Sequence, residues 1–243
     1  ITIGNRIFTE FTRSDPTLIE KFRGLPSSNI NDEMNRLYCM HDYIRLLNPA
    51  RAKPLLGTAI TVKAPIGDNL FFHKALDMAQ PGDVIVVDGA SGCNRSLAGE
   101  IMMRFAAKKG LAGIVVDGCL RDLDGIELQD MPIYAKGITP QGPWKFGPGE
   151  VNVPVACGGQ VVFPGDILAG DKDGIVVIRR QDAEAVAEAA ISYLSELGGA
   201  SLGIGWGHII GDVVKHMEQK AKLVPIGTFV CPLIGNGGVG LKN

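Results

Sequence analysis

GDVIVVDGASGCNRSLAGEIMMRFAAKKGLAGIVVDGCLRDLDG, residues 82–125, holds two apolar runs separated by an amphipathic segment. Val84, Ile85, Val86 and Val87 form an apolar, mostly β-branched run of the kind a strand buried on both faces requires, and Asp88-Gly89 supplies turn chemistry at its end. A polar loop follows. Ser96 stands where it can cap the next segment, in which Ile101, Met102, Phe105 and Ala106 recur at helical spacing. Lys108 and Lys109 fall in the last turn, where cations suit the helix dipole, and Gly110 lies just beyond. Ile114, Val115 and Val116 make a second buried strand, ended by Asp117-Gly118. Two buried strands joined by a helix predict a parallel βαβ unit.

Such a unit gathers its ligands beyond the carboxyl ends of the strands and at the amino end of the crossover helix. Gly99 lies in that first turn. A missing side chain there lets a ligand approach the N–H groups of Glu100, Ile101 and Met102, which favour an anion. Arg121 and Asp122 follow the second strand, so a fixed cation and a metal-binding carboxylate open onto the same crevice as Glu100. The pattern points to an anionic substrate handled with a hard cation.

Gly99-Glu100, twenty residues, then Arg121-Asp122 resembles the signature of the RraA-like family. GDNLFFHKAL at 67–76 and CNRSLAGEIM at 93–102 are most similar to its aldolase branch, the 4-hydroxy-4-methyl-2-oxoglutarate and 4-carboxy-4-hydroxy-2-oxoadipate aldolases; the likeness covers roughly residues 25–180. The resemblance implies an α/β fold, a swivelling β/β/α domain with α-β-β-α layers built around the βαβ unit. It implies a metal-dependent (class II) lyase that releases pyruvate, often with oxaloacetate decarboxylase activity, assembled as a homotrimer or a hexamer of paired trimers. By the same resemblance Asp122 would bind Mg²⁺ or Mn²⁺, Arg121 would hold the keto-acid end, the amides from Gly99 to Met102 would bind its carboxylate, and Glu100 would hold a water of the metal. The family also includes a regulator that binds an endoribonuclease, which is the alternative function. Some members are labelled menaquinone methyltransferases, but no glycine-rich nucleotide loop followed by a ribose-binding acid is found here.

The sequence departs from the family pattern at two places. Three residues after Asp122, where an acid is common, stands Gly125, with Asp124 beside it. Residues 195–243 do not resemble the tail from which a neighbouring subunit's glutamate enters the aldolase site.

The chain's 243 residues suit a single catalytic domain over 1–197, with an N-terminal arm, and a glycine-rich extension over 198–243 with a helix near Ile209 to Ala221. Net charge is −2, acids and bases are evenly mixed, and aromatics make up 6%, which argues against a nucleic-acid surface. No apolar run reaches the roughly 20 residues of a membrane span and the chain opens without signal-peptide regions, so a soluble cytoplasmic protein is expected. The five cysteines, odd in number and without a CxxC pair, fit a reducing compartment; Cys93 and Cys119 read as buried fillers or loop thiols.

Elsewhere, a helix is expected over Asp15 to Arg23 and another after Pro26, with Asp32 and Glu33 in its first turn. A strand around Ala59 to Val62 leads to Gly67-Asp68-Asn69, where Asn69 either caps the next helix or donates to a substrate carboxyl oxygen. Arg95 could reach a second carboxylate of a diacid. Met131 to Tyr134, Val153 to Val155, Val161 to Phe163 and Ile175 to Ile178 suggest a smaller second sheet, and Gln181 to Leu197 a closing helix. Gly165-Asp166-Ile167 echoes Gly82-Asp83-Val84 as turn chemistry. Gly235 to Gly240 matches GxGxxG in letters with only three residues after it, and the four histidines form no metal-binding pair. Lys108 and Lys109 read as helix-end charges, which leaves no Schiff-base lysine, and Trp144 and Trp206 read as packing anchors.

Overall fold

The computed structural model describes residues 2–196; the expected extension, with its helix, Trp206 and the final glycine run, lies outside the described residues. In chain order the elements are β1 (Asn5–Ile7), α1 (Pro16–Glu20), α2 (Ser27–Glu33), β2 (Arg45–Leu46), β3 (Leu55–Lys63), α3 (Leu70–Met78), β4 (Asp83–Asp88), β5 (Ser96–Ala98) and α4 (Glu100–Lys108). They continue with β6 (Gly113–Leu120), α5 (Leu123–Glu127), β7 (Ile133–Ile138), β8 (Gly149–Val151), β9 (Val155–Cys157), β10 (Gln160–Val162), β11 (Ile167–Gly170), β12 (Ile175–Ile178) and α6 (Ala183–Glu196).

The βαβ unit forms as the periodicity requires. β4 and β6 pair in parallel from Val84↔Gly113 to Asp88↔Asp117, and α4 crosses between them. Alternate residues serve different cores. Ile85, Val87, Ile114 and Val116 pack with Phe72, Leu76, Met103 and Ala106 from α3 and α4, whereas Val84, Val86 and Val115 face Leu168 and Val177. On the far side of β11 and β12, Ile167, Val176 and Ile178 meet Ile30 of α2 and Val186 and Ala187 of α6. Helices, sheet, a second layer of strands and helices again give the α-β-β-α order that the resemblance implied.

Several expectations need correction. The later strands do not build a separate sheet. Among the described residues ten strands form one mixed sheet: β7 adds in parallel to β6, β8 joins β3, and β11 runs antiparallel to the first half of β3, leaving only the β9–β10 hairpin apart. Asp117-Gly118 does not end its strand either. β6 continues to Leu120 through an irregularity in its pairing with β7, because the Asp117 carboxylate is satisfied inside, accepting from Ser91 Oγ (2.5 Å), Gly158 N (2.9 Å) and Tyr43 Oη (3.1 Å). Helix α1 is shorter than expected, with Asp15 as its N-cap accepting from Thr17 N. In α2 the helix starts at Ser27, so Asp32 and Glu33 fall in the last turn, where the dipole opposes them, and Asp32 is held by Arg36 at 2.7 Å.

The echo of Gly82-Asp83 in Gly165-Asp166 is one turn used twice. Each aspartate takes the backbone N–H three residues before it (Gln80 N, 2.7 Å; Phe163 N, 2.9 Å), and each is paired with an arginine, Arg13 or Arg179. Both turns flank β3 and set the starts of β4 and β11 beside it. Among the described residues no helix is long and apolar enough to cross a membrane.

Candidate active site

β5 pairs in parallel with the end of β6, which brings Ala98 beside Leu120 and the start of α4 against the residues that follow β6. Arg121 N bonds Ala98 O at 3.0 Å, and the next residue, Asp122, has φ 63° and ψ 51°. A left-handed aspartate carries about 1 kcal/mol of strain, less than most side chains would. The Gly125 and Ile126 N–H groups, both 3.1 Å from Asp122 O, hold it there. The twist turns the carboxylate back onto α4, where Asp122 Oδ2 accepts from Glu100 N at 3.2 Å.

Glycines make this approach possible. A Cβ at Gly99 would stand 2.2 Å from Asp122 Oδ2, and one at Gly125 would stand 2.2 Å from Glu100 Cδ. At the departure, Gly125, the Glu100 carboxylate from α4 lies where a Cβ would stand. Its Oε1 is paired with Arg104 Nη2 at 2.5 Å. Gly99, the residue before α4, makes no side-chain cap, and neither does Ser96, which lies within β5 and donates through Oγ to Gln141 O at 2.9 Å.

The helix amides are fewer than expected. Met102 N and Met103 N both bond Gly99 O (3.1 and 3.2 Å) and Glu100 N takes Asp122, leaving Ile101 N from the predicted trio. The anion at this helix terminus is the protein's own carboxylate. The helix also shows a different face: Met103 and Ala106 are buried, whereas Ile101 is 83% exposed and Phe105 largely so. Lys108 is the cation in the last turn of α4, whereas Lys109, expected beside it, donates its Nζ to Leu76 O and Asp77 O at the end of the neighbouring helix α3.

Two guanidinium groups meet at Gly142. A Cβ there would lie 3.1 Å from Arg121 Nη1, while Arg95 Nη1 donates to Gly142 O at 2.8 Å and its guanidinium lies 4.2 Å from the Trp144 ring centre. Trp144 therefore packs under Arg95, and it stacks on Phe146. Asn69, expected as a helix cap or a substrate donor, is turned inward with its amide N–H groups on Leu97 O (2.9 Å) and Met102 Sδ. It is buried, without a side-chain cap bond, and its Oδ1 has no protein partner. Its part is to position β5, and Asp68 does the capping, accepting from Leu70 N at 3.0 Å. The reading of Cys93 and Cys119 as separate thiols is overturned: they form a disulfide, with Cα atoms 4.8 Å apart.

The sequence reading missed the segment from Gln141 to Trp144, which roofs the site. Its signal was Pro140 and Pro143 bracketing Gln141-Gly142, a stiff turn between a strand and an aromatic residue. The residues gathered here fit a hard divalent cation of the kind that keeps most of its waters. The Asp122 side chain is 45% exposed, only its Oδ2 is engaged, by Glu100 N and Arg121, and the Glu100 carboxylate lies against Gly125, one turn further on. Among the described residues no three His, Cys, Asp or Glu side chains converge, so one carboxylate, water and substrate would share such an ion.

A cleft of about 1010 Å³ opens at the other end of the strands, between Leu55, Gly82, Ala112 and Pro132. No buried polar group lacking a partner lines it, and the Arg51–Asp130 pair at its edge is satisfied. The chemistry converges at the opposite end.

Fold and site define a layered α/β protein with a carboxylate and two guanidinium groups at the carboxyl ends of parallel strands. The chain belongs to the RraA-like family (Aldolase/RraA), whose pattern it matches over residues 27–177. It is 37% identical over 179 residues to a Halalkalibacterium halodurans protein provisionally named a 4-hydroxy-4-methyl-2-oxoglutarate aldolase, covering 74% of this chain and 84% of that one. Among solved structures, Streptomyces coelicolor RraAS2, described as an unusual member of the RNase ES inhibitor RraA family, is similar with TM-score 0.70 and 26% identity, covering 79% of this chain and all of that one. The RNA-processing inhibitor RraA from Thermus thermophilis matches with TM-score 0.58 and 28% identity, over 63% of this chain and 91% of its own.

Proposed function

We propose that the protein is a divalent-metal-dependent lyase that cleaves a 4-hydroxy-2-oxo diacid to release pyruvate and also decarboxylates oxaloacetate. The observation that carries this reading is the Asp122 carboxylate, held in a strained conformation on the Glu100 amide with the Arg121 guanidinium beside it. A surface that only binds another protein has no need for Glu100, Arg121 and Asp122 together. The aldolase name of the Halalkalibacterium halodurans relative points the same way.

In this reading Arg121 grips the keto acid through its carboxylate and keto oxygen, a planar fork against a planar group. Loss of the C4 hydroxyl proton lets the C3–C4 bond break; C4 becomes a carbonyl, and the electron pair moves toward the C2 oxygen as the enolate of pyruvate, which is then protonated at C3. Oxaloacetate loses carbon dioxide through the same enolate, which is why one site serves both substrates. The cation, held by Asp122 with Glu100 orienting its water, would supply Lewis-acid stabilisation of that developing charge. Arg121 adds a fixed positive charge to the same end.

The site is half open on one chain, with Arg121 43% exposed, and α4, whose start borders it, leaves Ile101 and Phe105 exposed. A homotrimer, or a pair of trimers, would close it and cover those apolar side chains. The deciding experiment is a pyruvate-release screen with 4-hydroxy-4-methyl-2-oxoglutarate, 4-carboxy-4-hydroxy-2-oxoadipate and oxaloacetate in Mg²⁺ and Mn²⁺, run beside an endoribonuclease inhibition assay. Pyruvate from at least one substrate supports the lyase; inhibition with no pyruvate from any would move the chain to the regulator class.

A further inference from the structure

The bridge between Cys93 and Cys119 links the two segments that carry the arginines of the site. Cys93 precedes Arg95 by two residues and Cys119 precedes Arg121 by two, so a single covalent bond spans both approaches to Gly142. The register agrees, since Ser96 of β5 pairs with Cys119 of β6. Upstream, the loop is already fixed: Gly89 N and Ser91 N bond Asp117 O (3.1 and 3.2 Å), and Lys136 Nζ bonds Ser91 O (3.0 Å). Downstream, Ser96 N is held by Gln141 O at 2.8 Å. Between these anchors Gly92 N bonds only Gly89 O within the same loop (3.1 Å), Gly92 lies against Ile66, and the Asn94 backbone carbonyl accepts from the Gln141 amide (2.6 Å) when that amide is turned to accept from Arg95. The bridge is therefore the main tie across the middle of the loop. On the neighbouring strand Gly137 leaves room for it, since a Cβ there would lie 3.1 Å from Cys119 Sγ and 3.9 Å from Cys93 Sγ.

We infer that Cys93–Cys119 is a reversible thiol–disulfide site whose state sets the spacing of Arg95 and Arg121, and hence the length of diacid the crevice accepts. The part about diacid length rests on the lyase reading; the redox chemistry and the loop movement do not. Cys93 is half-buried and Cys119 buried, so an external thiolate reaches Cys93 Sγ first. A small dithiol attacks there, the S–S bond breaks with its electron pair going to Cys119 Sγ, and that sulfur takes a proton. The dithiol's second sulfur then displaces Cys93 from the mixed disulfide and leaves as a cyclic disulfide. Two electrons and two protons enter the protein, and a low-molecular-weight disulfide such as oxidised glutathione reverses the exchange. The other described cysteines do not compete. Burial pushes the Cys157 thiol well up and raises that of Cys39, keeping both in the unreactive protonated form.

The test uses the full chain carrying Trp206→Phe, which leaves Trp144 as the single tryptophan beneath Arg95. After treatment with oxidised glutathione, a digest alkylated without reductant should contain Cys93 and Cys119 peptides joined, and dithiothreitol should separate them. Trp144 emission should shift on reduction as Arg95 loses its fixed place. KM for the six-carbon hydroxy-oxo diacid should rise about threefold or more on reduction, while that for oxaloacetate moves less. Cys93→Ser should be locked at the reduced values and ignore dithiothreitol. Alkylation of both cysteines in the oxidised protein would overturn the inference, as would a bridge that opens with no change in Trp144 emission. A preparation that releases no pyruvate while the emission still follows the bridge would defeat the lyase reading and leave the switch standing.

Discussion

Asp122 Oδ2 and the backbone N–H of Glu100 are joined by a 3.2 Å hydrogen bond that crosses the space a side chain at position 99 would occupy. The backbone at Gly99 is extended, so alanine is conformationally acceptable there, and its Cβ would meet the Asp122 carboxylate at 2.2 Å and Arg121 Cγ at 3.0 Å. Gly99→Ala should still fold yet lose about 100-fold in kcat/KM, as a displaced catalytic group does. Near-normal turnover in that variant would show that the Asp122 position is not used.

Arg121→Lys keeps the charge and removes the fork. Because Arg121 lies against Gly142 and beside Asp122, a lysine ammonium can reach the region without reproducing two parallel donors. Turnover of every keto-acid substrate should fall by about 100-fold. Exposed Arg45→Lys serves as the control, and equal rates in the two variants would remove Arg121 from the site.

Arg95 is anchored by Gly142 O and Trp144, with donors to spare for a distal carboxylate. Arg95→Ala should raise KM and lower kcat for six- and seven-carbon diacids more than for oxaloacetate, since remote contacts position the bond that breaks. Equal losses on both would assign Arg95 to holding the roof alone.

How much of this was legible beforehand follows from range. The βαβ unit was readable because Val84 to Val87 and Ile114 to Val116 carry their burial on both faces in composition. Gly99, Glu100, Arg121 and Asp122 were readable because their spacing is local to that unit. What escaped depends on contacts distant in sequence. Strands β7, β8 and β11 join the main sheet through partners that short apolar runs cannot specify, and Gln141-Gly142 reaches the site only once β7 is placed. Asn69 looked available because a loop asparagine is usually exposed; its burial follows from the Leu97 carbonyl it serves. Cys93 and Cys119, 26 residues apart, meet only because β5 pairs with β6.

The N-terminal arm should come loose in acid. Arg6 donates to Glu150, and that hydrogen bond is the main cause holding the Glu150 carboxyl below its ordinary 4.5; β1 meanwhile pairs with β8. A lowered carboxyl pKa in the fold means the pair's stabilisation is complete above the unfolded value and fades as pH falls through the folded one. Hydrogen exchange at the amides of residues 5–7 should therefore quicken between about pH 5 and pH 3 beyond the intrinsic trend, and Glu150→Gln should remove that step. Protection unchanged across this range would show that the pair does not hold the arm.

The most direct test of the central claim is pyruvate release by the wild type and by Asp122→Asn, each stripped with a chelator and then titrated with Mg²⁺ or Mn²⁺. Asparagine keeps the size of the side chain and removes the charge that would hold the cation. The wild type should be silent when stripped and recover with metal, and the Asp122→Asn protein should stay silent across the titration while remaining folded. Pyruvate release that persists in chelator, or an Asp122→Asn protein that recovers like the wild type, would contradict it.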